Sequence, residues 1–568
     1  MRTIKFILTI CTAFALLNAC DESSFLEEKP LDFYTPDNSM QTSAHFQASV
    51  NFLYNQVRYI YWEMNPDTKN ALYYATDFAF NATDYYKPAK LNDYRATMVP
   101  TFSVVDAIWS INYKIIANAN IILDRLPAAE KVSEENKKVF RGEALFFRAY
   151  AYRFLGHLYG GVPLTLHEIK IPQRDHVRAS RNEVYEQCRA DLEEAAQLLP
   201  DIDKVKDGKV NRQVAQHLLS EIYISLKMYD KAIKASTAVI DYPGVALMTE
   251  RFGSQKDKDG DVYGDLFRRH NQNRTSGNTE GLYVLQYDHL NAGSKKSSNL
   301  NWSLIPFYVN IQISEKNGAG ETIKNSAFAG PTDMKGGRCV GWMQPTNHFI
   351  TEIWKKGSGY DIRNSVHNIV RDIKIDNPQS PAYGKWLVKD GYYKQLDSIR
   401  QWYPILTKLF SYRDYPDDIK AKSSNGEFIK TGFGEFVLLT TVQGGFKDEY
   451  AFRLAETYLL RAEAQLGLGN TTEAANDINI IRDRSKATQV SASEVDMDYI
   501  LDERLRELYG EELRMVTLTR LGKLVDRNKK YNPKTGKSID DHHNLWPIPY
   551  AEIERNTEAK LEQNPGYN

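Results

Sequence analysis

A helical hairpin occurs twice in this chain, and the repeat constrains the possible folds more than any other feature. Residues 211–228 and 230–240 carry apolar and small residues at helical spacing and are separated by almost nothing. Two helices joined this tightly are expected to lie antiparallel. The repeated positions are Leu218, Ile222, Leu226, Ala232 and Val239, matched 242 residues later by Leu460, Ala464, Leu468, Ala474 and Ile481. Because such hairpins bury their apolar faces only against neighbours, we expect several of them to stack together.

Helical periodicity extends well beyond the repeat. It predicts helices over 43–61, 104–126, 137–159 and 181–199, and a further hairpin over 498–509 and 511–525. The small residues at the expected helix crossings resemble those of the tetratricopeptide repeat. The sequence therefore predicts a mainly α fold, with a tetratricopeptide-like helical hairpin scaffold formed by about 39–241 and 446–530.

The stretch between these two helical groups has a different character. Residues 242–445 are rich in Gly, Pro, Asn, Lys and aromatic residues, and only short runs such as 282–287 and 435–441 have the pattern of strands. A stretch of this length is too long for plain loop in a compact body. We expect a loop-rich, irregular layer with a few short strands, mounted on the scaffold and followed by a C-terminal strap at 531–568.

The N-terminus has the pattern of an export signal. Arg2 and Lys5 precede an apolar run from Phe6 to Leu17 that is too short to span a bilayer, which is typical of a signal peptide at 1–19. The following Cys20, in Leu-Asn-Ala-Cys, resembles the lipidation site of bacterial lipoproteins. That resemblance implies a lipid anchor on Cys20 and a tether at 20–38. An ordinary cleaved signal that happens to contain a cysteine is the alternative.

The net charge argues against a nucleic-acid partner, and the cysteine content leaves one disulfide possible. Removal of 1–19 changes the formal net charge from −1 to −3, so we expect no nucleic-acid partner. Cys188 and Cys339 remain in the folded body. They could form a disulfide in an oxidising compartment, but two isolated thiols in a body of this size are more often simply buried.

Five sequence blocks resemble one protein family. Residues 108–120 are similar to W-x-x-x-Y-x-x-I-x-x-A-N, residues 453–464 to R-x-A-E-x-Y-L-x-x-A-E-A, and residues 500–523 to an I-L-x-E-R block that ends in R-x-G-K. Residues 545–549 and 563–567 resemble the closing signature of the same family. These are marks of the SusD/RagB family of Bacteroidetes outer-membrane lipoproteins, and the acidic Asp21 and Glu22 resemble the surface-export signal of such lipoproteins.

The resemblance implies a function at the cell surface. Members of this family capture oligosaccharide, or less often peptide, and act as the lid of a SusC-like TonB-dependent transporter in the outer membrane. They are not enzymes. The expected partners are therefore a glycan, such a transporter, and the membrane through the lipid on Cys20.

Aromatic residues in the irregular stretches are the candidate glycan contacts. Sugars offer an apolar face and a ring of hydroxyls, so a glycan site needs accessible aromatic rings with polar groups beside them. Trp302 next to Asn301, and Trp342 in a glycine-rich loop with Arg338, fit this pattern, whereas Trp109 and Trp546 are expected in the core. The remaining candidates lie in the N-terminal region from which the family also draws binding residues: Asp77, Asn81, Tyr85 and Tyr86. Rings that only pin loops to the scaffold are the alternative explanation.

The remaining signals are weaker. Asp257, Asp259 and Asp261 resemble the start of a calcium loop, but Arg268 stands where the bidentate Glu belongs, so no cofactor is expected beyond a possible structural calcium. His542 and His543 are adjacent, and we expect them to point apart with no third ligand near. No nucleophile elbow or phosphate-binding loop occurs.

Two other functions are the alternatives to a glycan-binding protein. One is a structural lipoprotein that docks protein or peptide, and the other is a surface glycoside hydrolase.

Overall fold

The computed structural model describes residues 40–63, 66–82, 91–291, 298–355, 360–394 and 400–567. Cys20 and the predicted signal and tether lie outside these residues, as do Tyr85 and Tyr86. No helix in the described part of the chain is both long enough and apolar enough to span a membrane.

The fold is mainly helical, as predicted. Its longer helices are α1 (Ser43–Arg58), α2 (Ser103–Arg125), α3 (Glu134–Tyr159), α4 (Arg181–Leu198), α5 (Arg212–Ser225), α6 (Tyr229–Ile240), α7 (Leu454–Gly467), α8 (Thr471–Arg484), α9 (Met497–Leu508), α10 (Arg514–Arg520) and α11 (Leu524–Tyr531). Shorter helices cover Pro66–Asn70, Tyr94–Thr97, Val262–Asp265, Leu300–Leu304, Ile353–Lys355 and Tyr550–Arg555. The strands are β1 (Ala79–Asn81), β2 (Gly281–Leu285), β3 (Gln312–Lys316), β4 (Thr322–Ser326), β5 (Met343–Pro345), β6 (Ile369–Val370), β7 (Ile405–Leu406) and β8 (Glu449–Arg453).

Local capping explains several helix boundaries. The Ser133 hydroxyl accepts from the Asn136 amide at the start of α3, and Ser180 and Glu183 form a reciprocal capping box at the start of α4. Helix α3 ends at Gly160, whose φ of 77° lies in the left-handed region that favours glycine. The predicted bounds of these two helices hold to within a few residues because both the periodicity and the stop signals are local.

The two helical groups form one array. Helices α2 to α6 pack in chain order, each against the next, and α6 then packs against α7, which in turn packs against α8 and α9. Buried Ala232 and Val239 of α6 and buried Leu460 and Ala464 of α7 are positions of the internal repeat. The hairpins therefore stack as predicted, although the two groups are far apart in sequence.

Two local predictions are wrong. The predicted helix at 511–525 is two helices, α10 and α11, because the chain turns at Gly522 with a φ of 62°. The predicted strand at 435–441 forms only isolated bridges, from Phe436 to Lys430, Val437 to Thr332 and Leu438 to Lys420. Successive residues of this run therefore bond to three different segments.

The irregular layer between α6 and α7 is anchored by short antiparallel strand pairs. β2 pairs with β8, directly before α7, and β1 pairs with β5. The other two pairs, β3 with β4 and β6 with β7, lie within the layer. The layer thus leaves the scaffold after α6 and returns to it at the same sheet that precedes α7.

Buried ion pairs join charged residues of the motif blocks at 453–464 and 500–523 to one another. Glu456 and Glu463 of α7 pair with Arg504 of α9 at 2.6 Å and with Arg520 of α10 at 2.6 Å. Arg453 pairs with Glu507 at 2.7 Å, and both side chains are nearly fully buried. Removing one member of such a pair leaves an uncompensated buried charge, so these motif residues hold the helices in register.

The C-terminal strap is fixed by Trp546, which is fully buried, as predicted for a core residue. Its backbone amide donates to the Leu158 carbonyl at 2.7 Å, and its ring meets that of Tyr159 edge to face. Trp109 is likewise buried. Cys188 and Cys339 are both buried and free, so the disulfide alternative is wrong in this structure.

Candidate functional site

Trp302 and Trp342, predicted separately from sequence, contact each other. Their ring centroids are 4.5 Å apart with the ring planes inclined at 61°, and both residues are half-buried. Trp302 lies on the short helix Leu300–Leu304, and Trp342 lies directly before β5. The loop-rich layer therefore brings the two indoles into one edge-to-face pair.

Backbone hydrogen bonds hold the two indoles in place. The Val340 amide donates to the Trp302 carbonyl at 2.9 Å, and the Ala82 amide donates to the Trp342 carbonyl at 2.9 Å. Gly341 has a φ of 62°, and a Cβ there would lie 2.3 Å from the Arg400 carbonyl oxygen, so this close approach requires glycine. The pair is thus mounted on a tightly packed loop.

The surface that Trp302 offers to solvent is apolar. Its indole Nε1 is buried and donates to no acceptor among the described residues, so the exposed part of the ring is carbon. An aromatic carbon surface stacks against the apolar face of a pyranose ring. The geometry therefore suits stacking at Trp302.

Asn301 links the two loops of the site through a buried hydrogen bond. Its side chain is fully buried, and its amide Nδ2 donates to the Gly336 carbonyl at 3.1 Å. This bond ties the helix of Trp302 to the glycine-rich loop that carries Arg338 and Trp342. Asn301 was predicted as a ligand contact, but the structure places it where it positions the loop.

Asp77 is excluded from the site by its burial. Its carboxylate is fully buried and accepts from Arg514 Nε at 2.8 Å and Nη2 at 2.7 Å, and from Arg527. Burial alone would raise the pKa of this carboxyl, but the two guanidinium groups hold it well below its usual range. The expected ligand role of Asp77 is therefore replaced by a structural ion pair.

Asn81 lies close to the indole pair through its backbone. It is the last residue of β1, opposite Met343 of β5, and its side chain is buried. Its backbone exchanges two hydrogen bonds with the Asn92 side chain, at 3.1 and 2.9 Å. The predicted neighbours Tyr85 and Tyr86 follow in sequence but lie outside the described residues.

The calcium-like aspartates do not converge. Asp261 caps the helix Val262–Asp265 by accepting from the Gly264 amide at 2.7 Å, and it also accepts from Ser365 at 2.7 Å. Asp257 and Asp259 are exposed, and neither joins Asp261 in a metal-ligating group among the described residues. This geometry favours a helix cap over a calcium loop.

The expectation for His542 and His543 is wrong. The two rings lie 3.9 Å apart, and Asp540 places an oxygen within 4.8 Å of their ligand atoms. Two of these three residues already have other partners: Asp540 binds Arg95 through both carboxylate oxygens, and His543 Nδ1 accepts from the Asp540 amide at 2.9 Å. Burial, together with His542, lowers the pKa of His543 to about 4. The cluster is satisfied internally and fits a metal ion poorly.

A second aromatic surface was not predicted. The rings of Tyr383 and Phe433 are stacked with centroids 5.7 Å apart and are 43% and 39% exposed. The Lys374 ammonium lies 5.0 Å from the Phe433 ring and 5.4 Å from that of Trp386. No local sequence pattern links these four residues, so the sequence assigned no role to Trp386. The fold of the irregular layer brings them into contact.

Comparisons with known proteins agree on one family. The model of the SusD family matches residues 279–567, and the model described as starch-binding associating with outer membrane matches residues 25–224. SusD-like protein P25 of Formosa agariphila is 23% identical over 97% of this chain and 96% of its own length. Two solved structures are similar in fold. A laminarin binding SusD-like protein has a TM-score of 0.64 and 20% identity, over 93% of this chain and all of that chain. Surface glycan-binding protein A from Bacteroides thetaiotaomicron, in complex with laminarihexaose, has a TM-score of 0.63 and 18% identity, over 92% and 99%.

Proposed function

The chain belongs to the SusD family, whose model matches more than half of its length, and on that premise we propose that it is a glycan-binding lipoprotein of the cell surface. It binds oligosaccharide or polysaccharide through Trp302 and Trp342. It is held in the outer membrane by lipid on Cys20, and it delivers the glycan to a SusC-like TonB-dependent transporter as its lid. It performs no catalysis.

The contact between Trp302 and Trp342 carries this proposal. Two half-buried indoles at 4.5 Å, fixed by backbone hydrogen bonds, offer a rigid apolar surface in the least regular part of the chain. Each ring that stacks on a sugar is worth about 0.5–1.5 kcal/mol, by analogy with aromatic pairs. Rigid rings also lose little conformational entropy when a ligand binds.

The relatives support the choice of ligand class. One fold neighbour is described as laminarin binding, and another was solved with laminarihexaose. The Starch-binding protein SusD of Bacteroides thetaiotaomicron is 35% identical over 20% of this chain. A family model described by association with the outer membrane supports the proposed location.

A polysaccharide panel tests the binding function. Trp302→Ala and Trp342→Ala are compared with Tyr550→Ala, a matched control because Tyr550 is an exposed ring on the C-terminal strap. We expect each tryptophan variant to bind its glycan roughly tenfold more weakly, which is about 1.4 kcal/mol, and the control to bind like the wild type. Unchanged affinity in both tryptophan variants would remove the proposed site.

The same panel separates the alternatives. Failure to bind any glycan would favour a protein that docks only proteins or peptides, and release of soluble products from a bound polysaccharide would show a hydrolase. Anchoring and delivery are tested in cells: Cys20→Ser should release the protein from the membrane fraction and reduce uptake of the glycan. Normal uptake by cells that retain no membrane-bound protein would contradict the lid role.

A further inference from the structure

Arg338 is the one candidate glycan contact that carries a positive charge. The residue is half-buried, yet its side chain donates no hydrogen bond and forms no ion pair within the described part of the chain. Two other half-buried arginines do form ion pairs: Arg251 with Asp265 at 2.5 Å, and Arg461 with Asp477 at 2.6 Å. An arginine keeps its charge at any physiological pH and carries five donors. Arg338 therefore carries a positive charge that no described residue neutralises through an ion pair.

Arg338 lines an open groove whose other walls are neutral. The groove has a volume of about 530 Å³ and is also lined by the polar residues Asn377, Gln379, Ser326 and Thr440. Within it, Asn377 Nδ2 donates to the Ser326 carbonyl at 2.7 Å, and the Ser326 hydroxyl donates to the Phe328 carbonyl at 3.1 Å. Among the described residues that line it, Arg338 is the only charged one. Amides and hydroxyls hydrogen-bond to sugar hydroxyls, whereas the guanidinium pairs best with a carboxylate, phosphate or sulfate.

Two carboxylates in the same irregular layer have other partners. Asp376 accepts from the Ala329 amide at 2.8 Å and from Lys335 Nζ at 2.9 Å. Glu435 accepts from the Thr332 hydroxyl at 2.7 Å and also pairs with Lys335. The buried Lys335, rather than Arg338, is thus the counter-charge of both carboxylates.

Arg338 is close in sequence to Trp342, one of the two proposed stacking rings. Arg338 and Trp342 are four residues apart in one loop, so their Cα atoms are separated by at most about 14 Å. Val340, between them, donates its amide to the Trp302 carbonyl. This separation is within the length of a short oligosaccharide.

From these observations we infer that the glycan is anionic, with a carboxylate or sulfate group that pairs with Arg338 in the groove. The inference rests on the proposed glycan-binding function and narrows its ligand class. Stacking on Trp302 and Trp342 supplies affinity for the sugar rings. Arg338 supplies the preference for a charged over a neutral sugar through a bidentate, charge-assisted contact.

Matched polymers test the inference, because each pair shares a backbone and differs only in charge. Polygalacturonate is compared with its methyl-esterified form, and dextran sulfate with dextran, by affinity electrophoresis and calorimetry with the full lipid-free chain. We expect at least one charged polymer to bind about tenfold or more tightly than its neutral counterpart. Preference for polygalacturonate assigns a carboxylate, and preference for dextran sulfate assigns a sulfate.

Two substitutions separate a specific contact from general attraction. Arg338→Gln should lose about tenfold in affinity for the charged polymer and none for the neutral one. Arg174→Gln, at an exposed arginine between α3 and α4, makes the same change in net charge and should bind like the wild type. Equal loss in both variants would reduce the effect to non-specific charge and overturn the inference.

The outcomes also separate this inference from the proposed function. If neutral glycans bind through Trp302 and Trp342 at least as tightly as charged ones, the inference falls and the function stands. The same holds if Arg338→Gln binds charged glycans like the wild type. If no glycan of either kind binds, both fall.

Discussion

Lys69 is a fully buried lysine, and its replacement should stabilise the protein. The side chain is fully buried, and its ammonium nitrogen has no hydrogen-bond partner among the described residues. Burial lowers the pKa of Lys69 from 10.5 to about 7. Because the unfolded chain binds the proton more tightly than the folded protein, the charge opposes folding wherever the unfolded lysine is protonated.

The size of this effect follows from the shift in pKa. Each unit is about 1.4 kcal/mol, so the cost to the folded state is about 5 kcal/mol below pH 7 and about 2 kcal/mol near pH 9. The cost disappears as the pH approaches 10.5, because the unfolded lysine then loses its proton as well. As far as Lys69 determines it, the free energy of unfolding of the wild type therefore rises from pH 7 towards pH 10.5. Lys69→Met keeps the length of the side chain and removes the charge, so it should remove this pH dependence.

Thermal and denaturant unfolding at several pH values measure the change. We expect Lys69→Met to unfold roughly 4 °C above the wild type near pH 6, given the unfolding entropy of a chain of this size, and by a smaller margin near pH 9. Lys138→Met, at an exposed lysine of α3, is the matched control and should differ little from the wild type at any pH. A variant no more stable than the wild type near pH 6, or a gain that does not shrink with rising pH, would refute the reasoning.

Three further outcomes are expected. Asp77→Asn should destabilise the protein by about 3–5 kcal/mol, measured by denaturant unfolding, because it weakens a buried pair with two arginines. Burial raises the pKa of Asp333 to about 6, so its stabilising contribution is full below about pH 4 and lost as the pH rises through 6. Asp333→Asn should thus match the wild type at low pH and be more stable by up to about 3 kcal/mol at pH 8. Cys188 and Cys339 should react with a thiol reagent only after unfolding, because both are buried and free.

The helices could be predicted because their signals are local. The bounds of α4 were predicted to within a residue, since an apolar period, a serine cap and a following proline all lie within the segment itself. The predicted helix at 511–525 failed where one glycine with positive φ turned the chain. A single residue of that kind is indistinguishable in sequence from a tolerated helical glycine.

The site was predicted only in part because its contacts are long-range. Trp302 and Trp342 were identified from aromatic content and context, but nothing in the sequence showed that their rings touch. Asp77 was misassigned because its partners Arg514 and Arg527 lie more than 400 residues away. The stacked pair of Tyr383 and Phe433 was not predicted because no local pattern links two rings that lie 50 residues apart.

The irregular layer begins and ends at neighbouring elements of the scaffold, because β2 pairs with β8 and α6 packs against α7. This arrangement has a consequence for how such proteins can diversify. The roughly 210 residues between Ile240 and Leu454 leave the helical array and return to it at nearly one place. Such an insertion can change in length at little entropic cost, since closing a longer loop adds only about 0.6 kcal/mol for each doubling. The sequence between these two helices can therefore change, and with it the ligand specificity, while the helical scaffold stays the same.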